Sequence, residues 1–203
     1  MFALVLLSSA PAFAQFHGID VHPFVLVTDQ RFAAQTSFKA EFDSAAEAFW
    51  GAGVDIVYRR AYFLDLSVSH MSKTGQRAFL NNGDVFRLGV PVRAVVTPLE
   101  LTAGYRVRLR RSRIVPYAGA GVGTYAYRET SDFSAAGEDV AVSHAGFLAV
   151  GGAEVRVSRW IAVTGDVQYT KVPGILGQGG ISKDVDESNL GGVAARLRVI
   201  LGR

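Results

Sequence analysis

The stretch Leu99-Glu100-Leu101-Thr102-Ala103-Gly104-Tyr105-Arg106-Val107-Arg108-Leu109 alternates without a break. Leu99, Leu101, Ala103, Tyr105, Val107 and Leu109 make one set; Glu100, Thr102, Gly104, Arg106 and Arg108 make the other. A period of two sends successive side chains to opposite faces, so this is a β-strand with one apolar face. The rhythm recurs along the chain. Tyr62, Leu64, Leu66 and Val68 alternate with Phe63, Asp65, Ser67 and Ser69, and Phe147, Ala149, Ala153, Val155 and Val157 oppose Glu154 and Arg156. Ile161, Val163, Val167 and Tyr169 oppose Thr164, Asp166, Gln168 and Thr170, and Val193, Ala195, Leu197, Val199 and Leu201 oppose Arg196 and Arg198. Helical spacing fits poorly, only 38–50 passing for a short amphipathic turn, and 22 glycines weigh against helices.

The rhythm divides the chain into eight strands near 17–29, 49–59, 61–72, 91–110, 114–128, 145–157, 160–172 and 189–201. Long polar connections (30–48, 73–90, 129–144, 173–188) alternate with short ones at Arg59-Arg60, Arg111-Ser112-Arg113 and Ser158-Arg159, so long and short connections fall on opposite rims. That parity, with both termini on the short-turn side, is how membrane-spanning barrels are built. A separate strand over 84–90 would break it, and 73–90 is therefore expected to be a loop that carries its own hairpin.

Composition narrows the setting. The 203 residues are 49% hydrophobic and 19% charged, with no cysteine, and mean hydropathy is +0.22. This is too apolar for a disordered chain, and the missing cysteines exclude disulfides, thiolate metal sites and a thiol nucleophile. Twenty-one Lys and Arg against 18 Asp and Glu give a net charge of +3, scattered along the sequence, which argues against a nucleic-acid partner. The opening MFALVLLSSAPAFA has an apolar run and an Ala12-Phe13-Ala14 cleavage pattern, so residues 1–14 are expected to be a signal peptide and 15–203 a single barrel domain. No later stretch reaches the about 18–20 apolar residues of a membrane helix. An exported, apolar chain without such a helix fits a closed barrel in lipid.

The alternation alone does not say which face meets lipid, but the polar set does. It holds Asp55, Asp65, Glu100, Arg106, Arg108, Glu154, Arg156, Asp166, Arg196 and Arg198, both signs together and Arg in place of Lys. Arginine's planar fork suits bidentate pairing in a confined space, so these ten residues are expected to form a lumen network. An eight-stranded interior is just wide enough for side chains to fill, which implies a plugged lumen. The competing reading is a narrow ion path along Arg106, Arg196 and Arg198. A soluble secreted barrel around an apolar ligand would instead put Leu64, Leu66 and Leu101 inside and Arg106 and Asp166 in solvent. Trp50, Tyr58, Tyr62, Tyr117, Tyr125, Tyr127, Trp160 and Tyr169 lie near strand ends and are expected to form the two interface girdles.

Val115-Pro116-Tyr117-Ala118-Gly119-Ala120-Gly121-Val122-Gly123, with Tyr125 and Tyr127 after it, resembles a strand of the bacterial outer-membrane β-barrel domain family, related to OmpA- and OmpW-type barrels. Gly151-Gly152-Ala153-Glu154, Leu190-Gly191-Gly192 and the in-strand Pro98 carry the same resemblance, which spans the mature chain. It implies an all-β, eight-stranded antiparallel up-and-down barrel in the outer membrane, surrounded by outer-membrane lipid. Such proteins end in an aromatic residue, whereas this chain ends Ile200-Leu201-Gly202-Arg203.

Chemistry-bearing motifs are sparse. Gly119, Gly121 and Gly123 lack the Lys and the helix of a phosphate loop. His70-Met71-Ser72 puts His and Ser on one face, resembling some outer-membrane lipid A deacylases, with no carboxylate placed beside them. His17, His22 and His144 have no metal-ligand spacing, and Asp184, Asp186 and Glu187 lack the glycine of a calcium loop. The expectation is a monomeric, non-enzymatic protein without cofactor or metal, of structural or surface-interaction type, whose four long loops meet an extracellular ligand or protein.

Overall fold

The computed structural model describes residues 18–81, 84–109, 112–131, 140–177 and 180–202. In chain order they form β1 (Ile19–Phe32), α1 (Gln35–Phe42), β2 (Ala46–Tyr58), β3 (Tyr62–Asn81), β4 (Asp84–Arg106), β5 (Ile114–Thr130), β6 (Val140–Arg156), β7 (Ile161–Lys171), α2 (Gly180–Asp184) and β8 (Gly192–Leu201). Each strand pairs antiparallel with the next. The ring closes where β1 meets β8, from Phe24 against Ile200 to Phe32 against Gly192. Through the lower half every strand is therefore paired on both sides, the condition for a sheet to survive in hydrocarbon. Residues 1–14, read as a signal peptide, lie outside the described residues, as do 132–139 within the 129–144 connection.

The lower half, next to the short turns, is inside-out relative to a soluble barrel. Val25, Val27, Leu64, Leu66, Val68, Leu99, Leu101, Val122, Val167, Val193 and Leu197 are exposed on the outer wall. Between them on the inner wall lie buried Asp55, Asp65, Glu100, Arg106, Glu154, Asp166, Arg196 and Arg198. Leu99 to Leu109 covers 11 residues, the length of a tilted strand across a bilayer. A soluble barrel would have to bury the leucines and solvate the charges, and the chain does the opposite.

Further up, the polarity inverts. β3 runs for 20 residues and β4 for 23, about twice what a crossing needs. Above Val68 the outer face of β3 turns to Ser72, Thr74 and Gln76, and that of β4 carries Arg93. The inner face becomes apolar through Met71, Val92, Ala94 and Val96. Here the ring is no longer continuous, since β2–β3 pairing ends at Trp50 and His70 and β6–β7 pairing at Phe147 and Lys171, and the extended strands pack around an apolar core. Segment 73–90 does hold a hairpin, but as the continuation of β3 and β4 and not as a separate loop, offset by a register shift between Gln76 and Ala78.

Candidate functional site

The inner wall brings most of the predicted charges together. Arg106 pairs with Glu154 and lies 3.7 Å from Asp55. Arg198 donates from Nη1 to Asp65 Oδ2 at 2.6 Å, from Nε to Thr164 Oγ1 at 3.0 Å and from Nη2 to the Tyr117 hydroxyl at 2.8 Å. The Tyr117 hydroxyl donates in turn to Asp166 Oδ2 at 2.5 Å, and Arg196 Nε donates to Asp166 Oδ1 at 2.5 Å. One layer higher, Glu100 Oε1 accepts from Tyr125 at 2.7 Å and from Gln168 at 2.9 Å, while Arg196 lies 3.8 Å from its other oxygen. The guanidinium of Arg198 also stacks over Phe24 and Tyr117, 5.2 and 5.4 Å from the ring centroids. Charge-assisted bonds at low dielectric are the strong kind, and Asp166 and Glu100 each have more than one partner. Between Asp55, Asp65, Arg106, Glu154 and Arg198 the remaining gap is ≈ 10 Å³, about the room of one water.

Small residues make this fit. Gly152 faces Asp166 across β6 and β7, and a Cβ there would lie 2.3 Å from the Asp166 Cβ. Gly119, Gly121 and Gly123 of the G-x-G-x-G run form a lane on β5 where a Cβ would lie 2.2–2.9 Å from β4 carbonyl oxygens. The motif is a close-approach device between strands.

Three of the eight expected interface aromatics and two of the ten expected lumen charges need correction. Tyr117, Tyr125 and Tyr127 are not at the lipid interface: they are buried on the inner face of β5. Their phenol hydroxyls find carboxylate acceptors there, Asp166, Glu100 and Glu129, and the outward positions Ala118, Ala120 and Val122 are the small ones. Arg108 and Arg156 are exposed rather than lumenal, because β4 ends at Arg106 and β6 at Arg156, at the lip of the barrel. Trp50, Tyr58, Tyr62, Trp160 and Tyr169 do project outward. Tyr105, absent from the expected set, joins the lower group edge-on to Tyr62 at 5.4 Å, and Arg159 covers the Trp160 ring at 5.4 Å. His70 and Ser72 share the outer face of β3. Their described side-chain partners are Thr97, at 3.2 Å from His70 Nδ1, and Arg93, donating to Ser72 Oγ at 2.9 Å.

Apolar side chains pack together at the outer end of the barrel, beside a cavity of ≈ 450 Å³ lined by Phe38, Glu41, Tyr127 and Ile175. Phe32, Phe38, Phe42, Phe49, Met71, Val96, Tyr125, Ile175 and Leu190 form one cluster, with Phe38 stacked on Phe32 at 4.0 Å. This cluster holds α1 in place; the helix overlaps the start of the 38–50 stretch read as an amphipathic turn, whose later part is β2 instead. The N-cap of α1 is Ala34, which has no side chain to offer. Glu187, from the connection before β8, takes that role: its carboxylate accepts from the amides of Thr36 and Ser37 at 3.0 and 2.9 Å and from Ser37 Oγ at 2.7 Å. Burial pushes the Glu187 pKa up, but these bonds outweigh it and hold the group below its ordinary value. Glu41, on the other side of α1, goes the opposite way: burial, then the nearby charge of Glu129, push it up to about 7 against the pull of Arg77. The other end of α1 is held by Arg87, which pairs with Asp43 and donates to Ala40 O.

A closed eight-stranded barrel with an apolar outer belt and ion pairs inside defines a small membrane-spanning β-barrel protein. No family model and no curated protein sequence matches the chain. Its fold is similar to that of Neisserial surface protein A (NspA), at 10% identity over 92% of this chain and 99% of that one, with a TM-score of 0.54. The N-terminal β-barrel domain of Pseudomonas aeruginosa OprF matches at 12% identity over 89% and 96%, TM-score 0.47. Ail, the attachment invasion locus protein of Yersinia pestis, solved with the heparin analogue sucrose octasulfate, matches at 12% over 91% and 96%, TM-score 0.47.

Proposed function

We propose that this chain is a bacterial outer-membrane β-barrel of structural or surface-interaction type, matured by cleavage near Ala14, monomeric in outer-membrane lipid and without cofactor or enzymatic activity. The lumen is plugged, by ion pairs below and by the apolar cluster above, and binding belongs to the parts that stand beyond the lipid belt. The observation that carries this reading is the combination of a ≈ 10 Å³ gap in the charged layer with a raised β3–β4 hairpin. Near its tip Phe79 and Phe86 stack at 5.3 Å while remaining 42% and 45% exposed. Aromatic rings presented on a rigid, solvent-surrounded hairpin are the groups that anchor protein contacts. The fold similarity to a protein named as a surface protein supports the same reading. Reconstituted in planar bilayers, the protein is expected to give no steady ionic conductance; a reproducible open level that scales with salt would overturn the plugged lumen. Lipid A incubated with it should stay unmodified, and a product that disappears in Ser72→Ala would overturn the non-enzymatic reading.

A further inference from the structure

The short-turn mouth gathers cations that the ion-pair network does not use. Arg60, from the β2–β3 turn, Arg108, just past β4, and Arg156, at the end of β6, line a cavity of ≈ 300 Å³ whose floor is Arg106. Arg106 is already engaged by Glu154 and Asp55. Among the described residues Arg60, Arg108 and Arg156 make no ion pair and no side-chain hydrogen bond, and the acid on the cavity wall is the exposed Asp20. Arg108 and Arg156 also line an adjoining cavity with Glu154, the carboxylate that Arg106 holds. Like charges this close raise each other's energy, and the fork geometry of guanidinium matches an oxyanion.

The backbone makes the same point independently. Tyr58 to Ala61 is a β-turn within the three-residue link between Tyr58 and its strand partner Tyr62, closed by Ala61 N donating to Tyr58 O at 3.1 Å, with φ of 48° at Arg59 and 60° at Arg60. Such a turn favours Asn or Gly at both central positions. Arginine held there is strained, and strain retained by a fold points to a use.

We propose that the short-turn mouth of the barrel is an anion site that takes a phosphate group, with Arg60, Arg108 and Arg156 as its ligands. The phosphate comes either from the headgroup of a phospholipid in the adjoining leaflet or from a free phosphate compound. The first is within reach because the outward neighbours Val107, Leu109, Val155 and Val157 sit in the apolar belt beside the site.

The test is a titration of inorganic pyrophosphate onto the barrel in uncharged maltoside micelles, followed through the arginine Nε–H signals by NMR. Saturable shifts at Arg60, Arg108 and Arg156 are expected. Arg108→Gln/Arg156→Gln should weaken binding by about tenfold or more, as loss of charge-assisted bonds implies. Arg159→Gln, on the outer face over Trp160, should bind as wild type. Arg60→Gly separates binding from folding: it relieves the turn, so the barrel should unfold no more readily while binding weakens. In nanodiscs of phosphatidylglycerol without pyrophosphate, the same shifts identify a lipid headgroup as the source; signals that move only on adding pyrophosphate identify a free phosphate. A linear, unsaturated response, or equal affinity in wild type and the double variant, would overturn the site.

Discussion

Replacing Arg198 by Met tests the inner wall at its most connected point. Arg198 is 5% exposed, and its Nη1 forms an ion pair with Asp65 Oδ2 at 2.6 Å. Asp166 has a second cation in Arg196, at 2.5 Å, so the change strands Asp65 far more than Asp166. Asp65 also sits directly opposite Asp55 in the β2–β3 register, an unfavourable arrangement of like charges that the arginines offset. Leaving one member of a buried pair uncompensated costs about 3–5 kcal/mol, a shift in the unfolding equilibrium of more than about a hundredfold. Removing both charges in Arg198→Met/Asp65→Leu should recover much of that, because a buried pair replaced by apolar groups of similar volume is about neutral. The assay is urea unfolding in lipid vesicles, read by the emission of Trp50 and Trp160 and checked by heat-dependent gel migration. The reasoning is refuted if the single variant falls within about 0.5 kcal/mol of wild type, or if the double variant shows the two losses simply added, with no coupling.

Gly152→Val should destabilise the barrel by about 1–3 kcal/mol, since the new side chain meets Asp166 across the β6–β7 pair; the same urea titration measures it. Glu187→Gln removes the anionic cap of α1 and should cost about 1 kcal/mol of local stability, seen as faster hydrogen exchange at residues 35–42 with the transmembrane strands unchanged. Glu41 holds its proton more tightly in the folded protein, with a pKa raised from 4.5 to about 7, so its contribution is present below 4.5 and lost as pH rises through about 7. Exchange protection of α1 should therefore fall between about pH 5 and 7 in wild type and stay flat over that range in Glu41→Gln. Glu187, with its lowered pKa, stabilises above 4.5 and fails only in more acidic solution, which keeps the two carboxylates separable by pH.

The lower half of the barrel was legible because it obeys one rule throughout. Between Leu99 and Leu109, or Val193 and Leu201, every outward residue is apolar or small and the inward ones carry the charge, so period two marks the strand and the mixed-sign polar set gives its polarity, while the register between strands, which no single strand encodes, came only with the structure. The upper half breaks that correlation. Met71 and Val92 face in while Ser72 and Arg93 face out, and with core and surface exchanged, the same alternation read as a polar connection over 73–90. Tyr117, Tyr125 and Tyr127 were misplaced for a related reason: an amphipathic ring suits an interface with water or a buried carboxylate, and only the parity of β5 decides between them. The cap by Glu187 joins residues about 150 apart in sequence, a distance at which no local motif signals pairing. Arg108 and Arg156 share the parity of the lumen set but lie past the last closed layer, and strand ends are the least determined part of any pattern.

The central claim is the polarity of the wall, charges inside and leucines to lipid, and the absence of native cysteine allows it to be read position by position. Single cysteines at 99–109, each carrying a nitroxide and reconstituted in bilayers, report collision with lipid-dissolved oxygen. High oxygen access at 99, 101, 103, 105 and 107, alternating with immobilised, inaccessible labels at 100, 102, 104 and 106, is the predicted result. The opposite phase, or labels uniformly accessible to a water-soluble relaxing agent, would contradict it.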